Sequence, residues 1–387
     1  MLYFVKPIES DIGKLHQLLV HFFQYVQDNS PSKFDKSSQF PEWYSYTSNS
    51  LQVLEKSLKE FVEDFDISEK NDIIYAFTLA NKIELFFESM TDEQGNMLNI
   101  PIAKDFPKRE LFLNNLFLHL YKSQLSSKTS TFFEKIGDVS FGEYFTEIKN
   151  SEFSTKGSLL VCPFCGIHDY KLIESEGRPP FDHILPKGDS LFVFSSINLK
   201  NLIPICDACN TIKDTRPLLY LDKSRKVRTL AFYPYSTGDD PYSFFVFSLT
   251  CTLPPAGVQG QWTVNMSCNH PSDPNFSTRA TTWLNVFNIL SRYSEYISNK
   301  SNYYIGQLSK KIKGQTLQQA EDIVDGYISN ECNITPFALR NATGILLENI
   351  FHKWILQDQS FLSNLVLTTS SPLATNPNPL INSTDYD

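Results

Sequence analysis

Apolar residues recur every three or four positions along the first third of the chain, which is the spacing of one face of an α-helix. This pattern predicts a helix in each of four stretches, and proline-containing segments at 30–32 and 39–42 predict loops between them. The helical stretches are 12–26, 51–65, 73–87 and 111–120. We therefore expect residues 1–155 to form a helical domain whose apolar faces make a core.

After residue 228, the spacing of apolar residues no longer follows a helical pattern. Strands are predicted at 229–235, at 242–252, which is dense in Phe and Val, and at 261–267, where apolar residues alternate, with a hairpin loop at 253–260. Helical spacing returns from about 278. Thr316 and Gln319 form a capping-box pattern, and Thr335 before Pro336 predicts the start of a helix to 356. We expect a domain at 229–367 and, because Ser, Thr, Asn and Pro dominate the end, a disordered tail at 368–387.

The segment 161–216 carries two C-x-x-C pairs, Cys162 with Cys165 and Cys206 with Cys209. No apolar run is long enough for a membrane span, and the start of the chain lacks the pattern of a signal peptide, so we expect a cytoplasmic protein without membrane contact. In that compartment, paired cysteines indicate a metal site before disulfides. Four thiolates complete a structural Zn²⁺ site. His168 is an alternative ligand, and four unrelated buried thiols are the other interpretation.

Between the pairs lies the run Phe-Asp-His-Ile-Leu-Pro-Lys at 181–187. A strand there would place Asp182 and His183 on opposite faces. The second C-x-x-C is expected to begin a helix that carries Asn210 and, about one turn later, Lys213. The predicted order is strand, loop, short strand and helix. Taken alone, His183 could also be a structural histidine at a strand end.

These motifs resemble the HNH endonucleases in the subtype held by four zinc-binding cysteines. The similar elements are D-H-I-x-P and N-L-I-P-I-C-x-x-C-N-x-x-K, and the resemblance covers about 55–70 residues. Asn210 stands where the family often has His, which makes this an H-N-N variant. The resemblance implies a ββα-metal module at 156–228. Together with the periodic patterns on either side, it leads us to expect a mainly α protein with a small α+β centre, in which this module lies between a helical domain and a strand-then-helix region.

The resemblance also implies roles for individual residues. His183 would be the general base that takes a proton from water, and Asp182 and Asn210 would hold one catalytic Mg²⁺ or Mn²⁺. Asn201 would orient the loop and so the His183 ring, with Asn198 as a weaker candidate. The chemistry is compatible, because imidazole is a base near neutral pH and hard oxygen ligands suit these ions. A backbone carbonyl is the expected partner of the other His183 nitrogen.

The distribution of charged residues along the chain indicates which kind of substrate the protein could bind. The net charge of −9 argues against a protein that coats DNA non-specifically, but residues 213–228 hold six cations and two anions. Beside the motif, we expect contacts with phosphate rather than a solvated basic loop. The predicted nucleic-acid-binding residues are Lys187, Lys200, Lys213 and Arg216.

Three functions share these features. The first is a metal-dependent endonuclease acting on DNA, and the second is the same enzyme acting on RNA. The third is a catalytically silent zinc adaptor for nucleic acid or protein, which need not keep Asp182, His183 and Asn210. One such site cuts one strand, so a double-strand break requires a homodimer or two nicks. The chain lacks phosphate-loop motifs, so any ATPase or sensor would be a separate subunit. The architecture is also compatible with a bacterial anti-phage defence effector.

Overall fold

A computed structural model describes residues 1–45, 52–125, 141–151, 160–170, 180–188, 192–222, 227–252 and 261–370. The chain is mainly helical and has two small antiparallel sheets. It divides into two compact units. The first unit combines Phe4–Ser154 with Tyr170–Thr237, and the second combines Met1–Tyr3, Thr155–Asp169 and Gly238–Asp387. Each unit is therefore built from separated stretches of chain.

The helices of the first unit confirm most of the periodic pattern. Three predicted stretches are single helices, whereas 73–87 is divided into two because the chain leaves the helix at Asn81 and Lys82. The described helices before residue 152 are α1 (Lys14–Asn29), α2 (Lys36–Gln39), α3 (Glu42–Ser45), α4 (Gln52–Asp64), α5 (Ile67–Ala80), α6 (Ile83–Glu88), α7 (Glu110–His119), the π-helix Leu120–Leu125 and α8 (Phe141–Ser151).

Aromatic residues fill the core between these helices. Phe23 of α1 packs on Phe61 of α4 at 5.4 Å between ring centroids and on Phe77 of α5 at 4.7 Å. Phe77 also stacks on Phe117 of α7 at 5.9 Å. The apolar faces read from the sequence therefore form a core, as predicted.

Two short strands and a helix follow in the first unit. β1 (Phe181–His183) pairs antiparallel with β2 (Leu202–Pro204), and α9 (Asp207–Lys213) begins two residues after β2. The predicted order of strand, loop, short strand and helix is confirmed. The alternation along β1 leaves Asp182 half-buried and His183 buried, since neighbouring residues in a strand point to opposite faces.

The second unit contains the other sheet and the remaining helices. The predicted hairpin is confirmed, because β3 (Phe245–Thr252) pairs antiparallel with β4 (Gln261–Cys268), and its loop at 253–260 lies outside the described residues. Six helices then follow: α10 (Phe276–Val286), α11 (Ile289–Ile312), α12 (Leu317–Asn330), α13 (Pro336–Asn341), α14 (Ile345–Gln357) and α15 (Gln359–Ser370).

Both predicted helix starts are confirmed, since Thr316 and Thr335 accept hydrogen bonds from the backbone of the first turn. The helix from Pro336 is nevertheless interrupted. Gly344, with φ of 73°, separates α13 from α14. A side chain there would also collide with Tyr296, so only glycine fits this position.

Two further predictions differ from the structure, one over the whole predicted strand and one at the start of the predicted tail. Residues 229–235 do not form a strand; their side chains are largely buried, and Tyr233 and Tyr235 donate hydrogen bonds to carbonyls in the β2 region. α15 continues through Thr368 to Ser370, so the predicted tail starts inside a helix, and 371–387 lies outside the described residues. Within the described ranges, no helix combines the length and apolar character needed to cross a bilayer.

Candidate functional site

The two C-x-x-C pairs are buried, and their four sulfur atoms all lie within 4.8 Å of one another. Four sulfurs at such spacing suit a tetrahedral zinc ion, so Cys162, Cys165, Cys206 and Cys209 could hold a metal ion. His168 is exposed and is not a member of this group, so the alternative in which its imidazole is a ligand is not supported.

The local backbone around each pair suits metal-binding thiolates. The amide of Gly166 donates to the Cys162 carbonyl at 2.9 Å, and a φ of 66° at Gly166 closes this turn. Cys206 is the N-cap of α9, where its sulfur accepts a hydrogen bond from the Cys209 amide at 3.4 Å. The positive end of a helix favours the thiolate form of a cysteine.

His183 lies at the end of β1 and is only 3% exposed. Its Nε2 is 2.9 Å from the Ser196 carbonyl oxygen, which can only accept a hydrogen bond. Nε2 therefore carries the proton, and Nδ1 keeps the lone pair. The backbone-carbonyl partner expected from the sequence is confirmed.

A clamp of hydrogen bonds holds the loop that carries Ser196. The Asn201 side chain accepts from the Leu185 amide at 2.7 Å and donates to the carbonyls of Leu185 at 3.1 Å and Ser195 at 3.2 Å. Asn201 thus joins the residues after β1 to the residue before Ser196. This geometry is the one that the predicted orienting role of Asn201 requires.

The helices of the same unit hold this loop from the other side. Phe194 packs on Phe117 of α7 at 5.3 Å between ring centroids, and Asn81, after α5, donates to the Phe194 carbonyl at 3.2 Å. The Asn198 side chain donates to the Asn81 side chain at 2.9 Å. Asn198 therefore fastens the loop to the helices rather than contacting the His183 ring.

Asp182 forms a buried ion pair with Lys213 on α9. The Lys213 ammonium lies 2.7 Å from Asp182 Oδ2 and donates to the His183 carbonyl at 2.8 Å, and the Lys213 side chain is 1% exposed. Burial raises the pKa of Asp182 above its ordinary value, and the Lys213 charge opposes that rise. This position does not present Lys213 to solvent, so its expected contact with phosphate is not supported.

The other predicted phosphate-binding residues are placed differently. Lys200 and Arg216 are exposed, and Lys187 is half-buried with its ammonium 4.2 Å from the centroid of the Tyr121 ring. Arg228 of the basic segment is buried and donates to backbone carbonyls. The remaining cations of that segment, at 223, 225 and 226, lie outside the described residues.

Asn210 is half-buried on α9, three residues before Lys213. Residues three apart on a helix share a face, so the Asn210 side chain belongs to the face of α9 whose Lys213 meets Asp182. The structure therefore brings Asp182, His183 and Lys213 into direct contact, and it places Asn210 on the same face of α9 as Lys213. Asn201 is linked to them through Leu185 and Ser195.

Tyr121 is a site residue that the sequence did not indicate. It lies in the π-helix Leu120–Leu125, and its ring contacts the His183 ring edge-to-face at 4.6 Å between centroids. Because of burial and the charge of Lys187, the pKa of His183 is lowered to about 3. Contacts between residues 62 positions apart leave no short-range pattern, although a π-helix is itself frequent at functional sites.

No protein-family model, curated protein or solved structure matches this chain.

Proposed function

We propose that this chain is a metal-dependent endonuclease that hydrolyses phosphodiester bonds in DNA, with His183 as the general base. The observation that carries the proposal is the placement of His183. Its Nε2 is bonded to a backbone carbonyl, and Asp182 precedes it on a strand that pairs with β2, ahead of α9. These elements hold the residues whose sequence pattern resembles the HNH endonucleases.

His183 has the hydrogen bond that a general base of this kind needs. With Nε2 donating to the Ser196 carbonyl, Nδ1 is the atom that would take a proton from the attacking water. The same carbonyl would stabilise the imidazolium that forms. The water oxygen would then attack phosphorus, and the phosphodiester bond to the leaving oxygen would break.

The oxygen ligands available suit a hard divalent ion. A carboxylate from Asp182 and an amide oxygen from Asn210 are ligands that Mg²⁺ or Mn²⁺ accepts. Such an ion would neutralise charge on the phosphate and on the leaving oxygen. Lys213 already occupies Asp182 Oδ2 at 2.7 Å, so the ion would use the other carboxylate oxygen or displace the lysine. The four-cysteine cluster would hold a separate structural zinc ion.

Cations near His183 would attract a phosphate. Lys187 and Lys213 both act on His183 through their charge, and Lys122 and Lys213 act in the same way on Lys187. Lys187, exposed Lys200 and exposed Arg216 remain the proposed contacts with the nucleic acid. A base with a pKa near 3 is weak, so activity would require Tyr121 to move away and let water reach His183.

The test is a nicking assay with the full chain, supercoiled plasmid and either Mg²⁺ or Mn²⁺. We expect wild type to nick the plasmid and His183→Gln to lose roughly 10²–10⁴-fold in rate, which is the usual contribution of a general base. His21→Ala is the control, because His21 lies on the exposed side of α1. A single-stranded RNA of matched sequence separates DNA from RNA cleavage. Nicking by His183→Gln at the wild-type rate would disprove the role of His183.

The second candidate function is a zinc-binding adaptor that has no nuclease activity. It is favoured by one observation: Asp182 is satisfied by Lys213, and His183 is covered by Tyr121. If neither wild type nor Tyr121→Ala nicks DNA or RNA, while both bind nucleic acid and keep their zinc, the adaptor replaces the nuclease. Nicking by wild type or by Tyr121→Ala would exclude it.

A further inference from the structure

Three side chains in the second unit form a cluster that no sequence motif indicates. Ligand atoms of Cys332, Glu348 and His352 lie within 4.8 Å of one another. Glu348 and His352 are four residues apart on α14 and so share one face of that helix. Cys332 follows the end of α12. Cys332 and His352 are 1% and 3% exposed, respectively, so the cluster is largely closed to water.

Hydrogen bonds hold the His352 ring and the backbone of Cys332 in place. His352 Nδ1 is 2.8 Å from the Glu348 carbonyl oxygen, so Nδ1 carries the proton and Nε2 keeps the lone pair. Asn349 donates to the Cys332 carbonyl at 2.8 Å, and the Cys332 amide donates to the Tyr327 carbonyl at 3.0 Å. Bonds of this kind to the backbone orient the ligands of metal sites.

The charges of the cluster also match a divalent cation. A thiolate and a carboxylate together carry two negative charges, and a neutral imidazole adds none. A dication would make the group electrically neutral, which is the cheapest state for a buried site. The Tyr327 hydroxyl donates to Glu348 Oε1 at 2.8 Å, so this carboxylate is already held in place beside the cluster.

We propose that Cys332, Glu348 and His352 bind a zinc ion, separately from the four-cysteine cluster. Zinc accepts this mixture of sulfur, oxygen and nitrogen, and three protein ligands leave one tetrahedral position. The Tyr327 hydroxyl lies beside these three ligands, because it donates a hydrogen bond to Glu348. The ion links the end of α12 to α14, and it does not depend on the proposed nuclease activity.

The first test measures zinc per chain in purified full-length protein after dialysis. We expect Cys332→Ala and His352→Gln each to contain about one zinc fewer than wild type, because one three-ligand site is lost. Cys251→Ala is the matched control, since Cys251 lies on β3 in the same unit and outside both cysteine-containing clusters. Folded variants with the zinc content of wild type would overturn the proposal and leave a hydrogen-bonded cluster only.

The second test covers the case in which Cys332→Ala does not fold. Glu348→Gln keeps the shape of the side chain and removes its charge, and metal-free protein reloaded with Co²⁺ gives a thiolate-to-cobalt absorption band. If both clusters load, one of five thiolates belongs to this site. We therefore expect the band in Glu348→Gln to fall by about one fifth, with unchanged circular dichroism. A band equal to that of wild type would contradict the site, whatever the nicking assay shows.

Discussion

His183 and His352 are buried histidines with the same local support and different electrostatic surroundings. Each is 3% exposed, and each bonds one ring nitrogen to a backbone carbonyl, at 2.9 Å and 2.8 Å. Each ring also lies against a tyrosine ring, Tyr121 at 4.6 Å and Tyr327 at 4.7 Å between centroids. The carbonyl bond therefore sets the tautomer in both places and does not decide what either histidine binds.

The charged groups near each ring distinguish His183 from His352. Lys187 and Lys213 lie near His183, where an anionic phosphate would be stabilised. A carboxylate and a thiol lie near His352, where a cation would be stabilised. The comparison shows that the charge of the surroundings, rather than burial or the carbonyl bond, separates a proposed base from a proposed metal ligand.

The largest expected effect is a difference in lost stability between substitutions in the two cysteine-containing clusters. Cys206→Ser removes one of four thiolates while keeping a side chain that can cap α9, so we expect loss of zinc together with loss of soluble protein. Structural zinc contributes about 10–16 kcal/mol in small zinc domains. Cys332→Ala should cost less, because it removes one zinc ligand from helices α12 and α14, which also pack directly on each other. Zinc analysis and thermal unfolding measure both variants. A stable, zinc-loaded Cys206→Ser protein would contradict this difference.

The next largest effect concerns Lys213, whose ammonium donates to the His183 carbonyl. Lys213→Met leaves Asp182 buried without its partner, so we expect the free energy of unfolding at neutral pH to fall by about 3–5 kcal/mol. Denaturant unfolding measures the loss. Lys200→Met is the control because Lys200 is exposed, and its change should stay within about 0.5 kcal/mol. Equal effects of the two substitutions would mean that the ion pair does not stabilise this unit.

A smaller effect appears with pH. The pKa of His183 is lowered from 6.5 to about 3, chiefly by burial and by Lys187. Above pH 6.5 the folded and unfolded states are both neutral at this residue. Below it, only the unfolded state gains a proton, so stability falls toward pH 3, by about 1.4 kcal/mol for each full pH unit.

Unfolding at about pH 7.5 and about pH 5.5 measures this loss, and His183→Gln should reduce it. Burial also lowers the pKa of His352, and that of His16 falls to about 4, so a part of the loss remains in the variant. The same measurement on His352→Gln gives the contribution of His352 to the pH dependence. A pH dependence unchanged in His183→Gln would show that this histidine is not held neutral by the fold.

The smallest expected change in stability comes from the tyrosines. Tyr121→Ala removes an edge-to-face contact worth about 0.5–1.5 kcal/mol and admits water to His183. We expect the pKa of His183 to rise toward 6.5, as followed by NMR titration, and nicking to become faster. Tyr121→Leu is the control, because it keeps an apolar cover. A pKa that stays near 3 in Tyr121→Ala would show that Tyr121 is not the residue that keeps the pKa of His183 low.

Much of the site region could be predicted from sequence because its signals are local. The C-x-x-C pairs have fixed spacing, Thr316 and Thr335 are caps followed by helical periods, and the order of β1, β2 and α9 follows from adjacent motifs. By contrast, Lys213 was expected at the surface. A lysine next to a metal motif has the same pattern whether it faces solvent or pairs with a carboxylate 31 residues earlier in the chain.

The remaining features depend on packing between distant residues. The sequence gives no sign that Cys332 and His352 are neighbours, because a cysteine after one helix and a histidine in a later helix produce no motif. Tyr121 reaches His183 only through the tertiary fold. The run at 229–235 has a strand-like composition, but no neighbouring strand pairs with it within the described residues. Sequence periodicity predicts which face is buried and does not predict its partner.

The Asn201 clamp has a consequence for amide hydrogen exchange. The amides of Ile184 and Leu185 donate to the backbone carbonyl and the side chain of Asn201 at 2.8 Å and 2.7 Å, and all three residues are buried. Solvent deuterium can replace these two protons only when the loop opens as a unit. Their exchange rates therefore report how often the segment around His183 leaves its closed arrangement, without any substrate being present.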